Sequence, residues 1–282
     1  MLSSLSEVQN WRFQHNDIAF VPTMGALHEG HLSLIEFAKK LEKPILVSIF
    51  VNPTQFGPNE DLDRYPRDNE GDTKKLQNAG VDAVFFPTEA EIYPEGKTPK
   101  IPPLPSVFSE LEGEIRPGHF LGVAQVLTRF FEIISPSDIF FGQKDYQQTV
   151  LVKWLISVLH IPSKIHVCPI VREETGLAMS SRNAYLQNEK RHVASVLFRS
   201  LAEGKALFGA GERDPRIIRN RVLEILMQEA EITSIDYVNI RDAETLEKIK
   251  TMNQLTVLLL AVRIGKVRLI DNMLLKEEYL MA

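Results

Sequence analysis

The chain has 282 residues, of which 44% are hydrophobic and 24% charged, and its formal net charge is −5 at neutral pH. These proportions are those of a globular protein with one large domain or two smaller ones. The negative balance argues against a dedicated nucleic-acid-binding protein, which would carry a basic surface. A single cysteine excludes an internal disulfide, so we expect Cys168 to be an inert core residue in a reducing compartment. The N-terminus lacks a signal-peptide pattern and no apolar run reaches about 18 residues, which predicts a cytoplasmic protein with no membrane contact.

The first part of the chain alternates strand-like apolar runs with helical patterns. Strands are predicted at 18–21, 44–51, 81–86, 138–141 and 163–171. Helices are predicted within 1–17, from Leu32 onward, and over 68–79, 119–134 and 146–160. This alternation favours a doubly wound α/β domain with a parallel sheet that ends near residue 176.

Beyond that point the pattern changes. A mostly helical segment is predicted over about 188–230, followed by short strands at 235–240, 255–262 and 267–271. We therefore expect a smaller C-terminal α+β domain over 177–282. Within the first domain, residues 91–118 are rich in Pro and Gly, and so long an irregular stretch is usually a lid or a binding loop.

The stretch that follows the first strand carries the strongest chemical signal. Residues 20–31 predict a strand, a tight turn at Pro22 and Gly25, and a helix. A helix N-terminus suits a phosphate, and Gly30 would let a ligand approach the backbone. His28 and His31 are three apart, so both can face one side of the first turn. A metal-binding pair, or two ordinary polar residues at a helix start, remain alternatives for these histidines.

Three further polar loops leave predicted strand ends, at 52–60, 142–148 and 172–183, where open α/β sheets bind ligands. Lys144 is a point charge suited to phosphate, and Gly142 allows close backbone approach. Ser180, Ser181 and Arg182 can clamp a triphosphate. Asn52 and Gln55 can recognise a small polar substrate.

Each of these loops also has a purely structural interpretation. Asp145 and Gln148 have the spacing of a helix capping box. The Ser-Arg-Asn run at 181–183 is a common turn and cap composition. Residues 52–60 can be a solvated turn fixed by its prolines, and His119 can simply begin its helix.

In combination, these motifs resemble the pantoate–β-alanine ligase family over essentially the whole chain. The stretches that carry the resemblance are 22–31, 50–56, 116–123, 141–148, 176–183 and 263–272. The chain departs from the family pattern at Thr175 and Gln125, and in detail within 68–72.

The resemblance implies a Rossmann-like, nucleotidyltransferase-type domain over 1–176 that binds ATP and pantoate, and a C-terminal domain over 177–282 that covers the active site. It implies ATP-dependent condensation of (R)-pantoate with β-alanine to pantothenate through a pantoyl-adenylate, with release of AMP and pyrophosphate. ATP is then a substrate, and we expect Mg²⁺ to bind mainly through its phosphate oxygens, with few protein ligands. The expected assembly is a homodimer that binds no nucleic acid. The alternative is a nucleotidyltransferase of the same superfamily that stops at a nucleotide-linked product.

Carried over by position, the resemblance also implies the site residues. The ATP-binding set is Met24, Gly25, Ala26, Leu27, His28, Glu29, Gly30, His31, Gly142, Gln143, Lys144, Asp145, Val171, Met179, Ser180, Ser181 and Arg182. The expected catalytic residues are His31, His28, Lys144 and Arg182. Gln55 would contact both pantoate and β-alanine and Gln148 would contact pantoate, with Asn52 assigned to the substrate by its residue type.

Overall fold

The computed structural model describes residues 1–58, 60–186, 188–253 and 255–277, and the chain packs into two units. The first unit contains residues 1–143 and 147–169, and the second contains residues 144–146 and 170–282. That residues 1–176 bind ATP and pantoate, and that residues 177–282 cover the active site, stay predictions.

A five-stranded parallel sheet forms the centre of the first unit, as the alternating pattern predicts. Its strands are β1 (Ala19–Thr23), β2 (Ile45–Ile49), β3 (Ala83–Phe85), β4 (Asp138–Gly142) and β5 (Lys164–Cys168). The order across the sheet is β3-β2-β1-β4-β5, and every pairing is parallel. All five residues of β2 are buried, because a parallel sheet is covered on both faces. The direction of strand progression reverses between β1 and β4, where open α/β sheets bind ligands.

The helices of the first unit follow the predicted pattern closely. They are α1 (Leu5–Gln14), α2 (Glu29–Lys39), α3 (Asn69–Asn78), α4 (Glu89–Ile92), α5 (Glu112–Ile115), α6 (His119–Ile134) and α7 (Tyr146–Val158). The bounds of α6 are those predicted, and α3 ends just before Gly80, whose φ of +73° is the left-handed conformation of a helix-ending glycine. The 91–118 stretch contains short helical turns rather than continuous irregular chain, because Tyr93, Phe108 and Leu111 are buried and anchor it.

Strand β5 is shorter than predicted, ending at Cys168 rather than near 171. Pro169 has no N–H to donate to a sheet ladder, which explains the stop. Residues beyond it instead join the second unit, where Arg172 bridges Ala178. Cys168 itself is buried, which confirms its place in the core, and burial raises its thiol pKa to about 11; its inertness stays a prediction.

The second unit is an α+β structure, as predicted. Its antiparallel sheet contains β6 (Ile232–Asp242), β7 (Thr256–Ile264) and β8 (Val267–Leu275), in the order β6-β7-β8. Helices α8 (Asn188–Val193), α9 (Val196–Gly209) and α10 (Pro215–Met227) complete it. All three strands are longer than the sequence predicts, and Leu197, Leu201, Val222, Leu258 and Leu260 lie in their shared core.

Among the described residues, no helix combines the length and apolar character needed to cross a bilayer.

Candidate active site

The turn after β1 requires glycine at residue 25. Gly25 has a φ of +80° and Ala26 a φ of +50°, so the chain passes through two successive left-handed conformations. A Cβ atom on Gly25 would lie 3.1 Å from Ile49 Cγ2 and 3.2 Å from Asp72 Oδ2. Both the conformation and the close contacts therefore disfavour a residue with a side chain at this position.

Two side chains of α3 hold the same turn, although no sequence motif marks them as part of the site. Asp72 is fully buried, and its Oδ1 accepts a hydrogen bond from Leu27 N at 2.8 Å. Lys75 Nζ donates to Leu27 O at 2.8 Å and lies 3.3 Å from Asp72 Oδ1. The only sequence signal was an Asp and a Lys three apart on a helix, and nothing in that spacing indicates a distant partner.

The two histidines lie against each other at the start of α2. Their ring centroids are 4.1 Å apart, so the spacing of three residues does place both on one side of the turn. His28 is the N-cap residue, and its Nδ1 accepts a hydrogen bond from Gly30 N at 3.1 Å. His31 Nδ1 in turn accepts from His28 N at 3.4 Å.

These contacts fix the tautomer of both rings. A ring nitrogen that accepts a hydrogen bond carries no proton, so a neutral imidazole in this arrangement carries its proton on Nε2. The N–H groups of His28 and Gly30 are satisfied inside the turn. These two amides are therefore used within the turn, and the imidazole side chains are the polar groups of His28 and His31 that remain for the proposal below.

Gln55 reaches the same turn from the end of β2. It lies in a short 3₁₀ turn at 53–55, is 8% exposed, and donates from Nε2 to Met24 Sδ at 3.2 Å. Its Oε1 accepts from Asn52 Nδ2 at 3.1 Å. The structure thus brings together Met24, expected to bind ATP, and Gln55, expected to bind the substrates.

Both polar atoms of the Asn52 side chain form hydrogen bonds with protein groups. Its side chain is 1% exposed, and Nδ2 also donates to Gly122 O at 3.2 Å. Its Oδ1 accepts from Tyr93 Oη at 2.8 Å and from Thr54 Oγ1 at 3.0 Å. These contacts orient Gln55, while a direct contact between Asn52 and a substrate stays a prediction.

His119 supports Gln55 from the backbone side. It begins α6, as the structural alternative predicts, yet it is buried and its Nδ1 lies 2.9 Å from Gln55 O. Burial, assisted by the nearby Arg116 guanidinium, lowers the pKa of His119 to about 4. The ring is therefore neutral near pH 7, donating from Nδ1 to Gln55 O and accepting at Nε2 from Arg116 Nη1 at 3.1 Å. Arg116 is held by an ion pair with Glu60 at 2.6 Å.

The end of β4 provides open backbone. A Cβ atom on Gly142 would meet no protein atom within 4 Å, so its lack of a side chain is not a packing requirement. Gln143 N donates to Cys168 O at 2.8 Å and extends the pairing with β5 by one residue. Gln148 lies half-buried on α7.

Lys144 and Asp145 belong to the second unit. Lys144 Nζ lies 3.5 Å from Asp145 Oδ1, and Lys144 O accepts from Asn272 Nδ2 at 2.8 Å. Tyr146 Oη donates to Ala243 O at 2.8 Å. The segment that carries the expected phosphate-binding lysine is therefore attached to β8 and to the residue that follows β6.

The loop at 179–182 begins where the chain turns back on itself. Met179 N donates to Val171 O at 3.0 Å, which places two expected ATP-binding residues side by side. Ser180 is the N-cap of a 3₁₀ helix at 181–185, with its Oγ accepting from Arg182 N at 3.3 Å. Asn183 Nδ2 donates to Ala178 O at 3.1 Å. Ser180 thus fits the turn-and-cap interpretation, and its contact with a nucleotide stays a prediction.

Within the described parts of the chain, no group of three or more His, Cys, Asp or Glu side chains is placed to hold a metal ion.

Polar side chains follow the neighbouring parallel strands β1 and β2, and the histidine pair lies at the strand-order reversal, so the protein is an open-sheet α/β protein with a candidate ligand-binding site at this point. The family model for pantoate-beta-alanine ligase matches residues 1–274. The chain belongs to that family, which confirms the resemblance read from its motifs.

Known relatives agree along nearly the whole length. A pantothenate synthetase of Dehalococcoides mccartyi is 49% identical over 259 residues, which are 92% of this chain and 96% of the relative. The crystal structure of pantothenate synthetase from Thermus thermophilus is 41% identical, with a TM-score of 0.91, and the match covers 97% of this chain and 99% of that one.

A third relative was solved with ligands. It is the pantoate-beta-alanine ligase of Francisella tularensis, complexed with beta-gamma ATP and beta-alanine. It is 35% identical with a TM-score of 0.79, and the match covers 99% of each chain.

Proposed function

We propose that this chain condenses (R)-pantoate with β-alanine to pantothenate, using ATP and passing through a pantoyl-adenylate. The observation that carries the proposal is the family match over residues 1–274, which takes in every motif that the sequence analysis singled out. The relative crystallised with an ATP ligand and β-alanine supports the same substrates.

The reaction needs two displacements. A pantoate carboxylate oxygen attacks the α-phosphorus of ATP, and the bond to pyrophosphate breaks. The amine of β-alanine then attacks the acyl carbon, loses a proton, and expels AMP, which keeps the carboxylate oxygen. Neither displacement needs a protein nucleophile, so the chain contributes position and charge stabilisation.

His31 is the residue to which we assign the chemistry, with His28 as its partner. As a neutral ring with its proton on Nε2, each histidine is a hydrogen-bond donor to a phosphate oxygen. A donor fixed by the turn is worth most where charge develops in the transition state. Protonated rings would have to give up the two Nδ1 contacts that form the turn, so the geometry favours hydrogen bonding over proton transfer.

The remaining ATP contacts are assigned by position in the family motifs. We propose that residues 24–31, 142–145, Val171 and 179–182 bind the nucleotide. The side chains of Lys144 and Arg182 would balance the charge of the phosphates and of the departing pyrophosphate. Arg182 can do so bidentately, whereas Lys144 acts as a point charge.

Gln55 is the proposed contact for both organic substrates, and Gln148 for pantoate. The support for Gln55 is its built environment, since its side chain is oriented by Asn52 and Met24 and its backbone carbonyl by His119. A hydrogen bond between a pre-oriented side chain and a substrate hydroxyl, amine or carboxylate costs little additional ordering. Asn52 we assign to this substrate-binding group through its contact with Gln55.

Mg²⁺ fits this donor set as a companion of ATP. The expected ATP-binding residues present amides, imidazoles, hydroxyls and cations, with Glu29 and Asp145 as their only carboxylates. Mg²⁺ binds through phosphate oxygens and water with few protein ligands, so the ion would arrive on the nucleotide. When bound there it neutralises phosphate charge.

We also propose that the chain works as a homodimer in the cytoplasm. The dimer rests on the family resemblance alone. The compartment is supported by the buried free thiol of Cys168, which suits reducing surroundings.

Product analysis tests the function and separates it from its alternative. Purified protein with ATP, Mg²⁺ and pantoate should release AMP, pyrophosphate and pantothenate in equal amounts once β-alanine is added. A nucleotidyltransferase would accumulate a nucleotide-linked product whether or not β-alanine is present. Formation of ADP and phosphate instead of AMP would overturn the proposal.

A further inference from the structure

A buried ion pair in the second unit has no part in the function proposed so far. Asp271 lies on β8, within the 263–272 motif, and its side chain is 1% exposed. Arg172 meets it with two parallel contacts, Nη1 to Oδ2 at 2.6 Å and Nη2 to Oδ1 at 2.9 Å. The fork geometry fixes the guanidinium plane as well as its position.

Arg172 also fixes the turn that leads into the 179–182 loop. Its Nη1 donates to Gly176 O at 3.0 Å, and its guanidinium carbon lies 4.6 Å from the centre of the Phe198 ring. Gly176 has a φ of +89°, and a Cβ atom there would lie 2.3 Å from Phe198 Cδ1. A side chain at residue 176 would be strained and would displace Phe198, so the turn favours glycine, whose carbonyl Arg172 holds.

The same pair holds the residue that contacts Lys144. Asn272 N donates to Asp271 Oδ1 at 2.7 Å, and Asn272 O accepts from Arg172 Nη2 at 3.4 Å. With its backbone fixed in this way, Asn272 donates from Nδ2 to Lys144 O at 2.8 Å. One connected network thus reaches both segments that are expected to bind phosphate.

Stability alone is a weak reason for such a network. Removing a charged pair from water costs free energy, and well-packed apolar residues commonly stabilise a protein at least as well. Burial raises the pKa of the Asp271 carboxyl, while Arg172 and Lys144 oppose that shift. A buried fork with every oxygen directed at a named partner is better explained by the geometry that it imposes.

We propose that Arg172, Asp271 and Asn272 are positioning residues that hold Lys144 and the 179–182 loop in the arrangement that binds ATP. The proposal rests on the proposed function of those two segments. It also gives a role to the 263–272 motif, which otherwise carries only the family resemblance.

Two substitutions of similar volume test it. Asn272→Leu removes the donor to Lys144 O, and Asp271→Asn removes the charge that holds Arg172. The matched control is Asp236→Asn, because Asp236 lies on β6 of the same sheet, is 12% exposed, and forms its ion pair with Arg268 at 2.6 Å rather than with Arg172. Each full-length variant is measured for kcat, for KM of ATP and of β-alanine, for calorimetric affinity for MgATP, and for thermal unfolding.

We expect both test variants to raise KM for ATP and to weaken MgATP binding about tenfold, the effect of one lost hydrogen bond. KM for β-alanine should stay within about twofold, and Asp236→Asn should lose only stability. Unchanged ATP parameters in the test variants would overturn the proposal, and so would an equal loss in the control. If the unaltered chain binds MgATP but makes no pantothenate, the proposed function fails, and the binding data alone decide the positioning role.

Discussion

Asp72 Oδ1 accepts a hydrogen bond from Leu27 N at 2.8 Å, across 45 residues of sequence. Lys75 bonds the carbonyl of the same residue, so both backbone polar groups of Leu27 are held by side chains of α3. His28 follows directly and caps α2, which makes α3 the support on which the histidine pair rests.

We expect Asp72→Ala to lower the free energy of unfolding by about 2 kcal/mol, because the buried Leu27 N–H then lacks a partner. Asp72→Asn should recover part of this loss, since an amide oxygen can still accept from Leu27 N. Urea unfolding of both variants measures the difference. Equal losses for the two would show that the hydrogen bond is not what Asp72 contributes.

Lys75 offers a matched pair of substitutions on one helix. Lys75→Met should lower turnover, because it frees Leu27 O and loosens the turn before His28. Lys74→Met, at an exposed neighbouring position, should leave turnover unchanged. Steady-state rates at saturating ATP compare them, and equal rates for the two variants would contradict the role of α3.

Two substitutions of His31 distinguish the role of its Nδ1 from the role of its Nε2. Asn places an acceptor near Nδ1 and can keep the turn, whereas Gln places an N–H near Nε2. His31→Asn should therefore retain stability but lose about two to three orders of magnitude in turnover, the usual cost of one transition-state donor. His31→Gln should be the more active of the two. The reverse order of activity would remove the Nε2–H from its proposed role.

His119 predicts a specific pH dependence of stability. Burial, and after it the Arg116 charge, lowers the pKa of His119 to about 4 in the folded chain, whereas its ordinary value is 6.5. Gln55 O, Glu60 and Glu112 oppose this shift. Between these values the unfolded chain binds more protons, so the free energy of unfolding falls as pH drops from about 6.5 to about 4, by roughly 3 kcal/mol. His119→Asn keeps a donor to Gln55 O and removes the titration. Chemical unfolding measured across this pH range should show the extra loss of stability in the unaltered chain only. If the free energy of unfolding falls in parallel with pH in both chains, the role assigned to His119 is refuted.

Cys168 should be silent toward thiol reagents in the native protein. Its pKa of about 11 leaves little thiolate at pH 8, and the side chain is 3% exposed. A chromogenic disulfide reagent should report one thiol per chain in denaturant and almost none in buffer. Rapid reaction of the native chain would show that β5 opens more readily than its packing indicates.

The sequence predicted the elements that have local signatures. Continuous apolar runs such as 45–49 indicate buried parallel strands, and the apolar period of α6 predicted the bounds of that helix to the residue. Strand β5 was overextended because apolar character continues past Pro169, while the missing N–H ends the ladder.

The supports of the site left no such signature. Asp72 with Leu27, and Arg172 with Asp271 across 99 residues, are contacts between segments that only the fold brings together. His119 shows why its two interpretations were not exclusive, since it begins a helix and also holds Gln55. Family motifs identified the residues expected to contact ligands, and the structure identifies those that hold them.

The central claim is that pantoate is activated through its carboxylate at the α-phosphorus of ATP. Pantoate labelled with ¹⁸O in both carboxylate oxygens, incubated with ATP, Mg²⁺, β-alanine and the purified chain, tests this directly by mass spectrometry of the products. The account predicts AMP carrying one ¹⁸O atom and pantothenate retaining the other. Label in inorganic phosphate, or AMP without label, would contradict it.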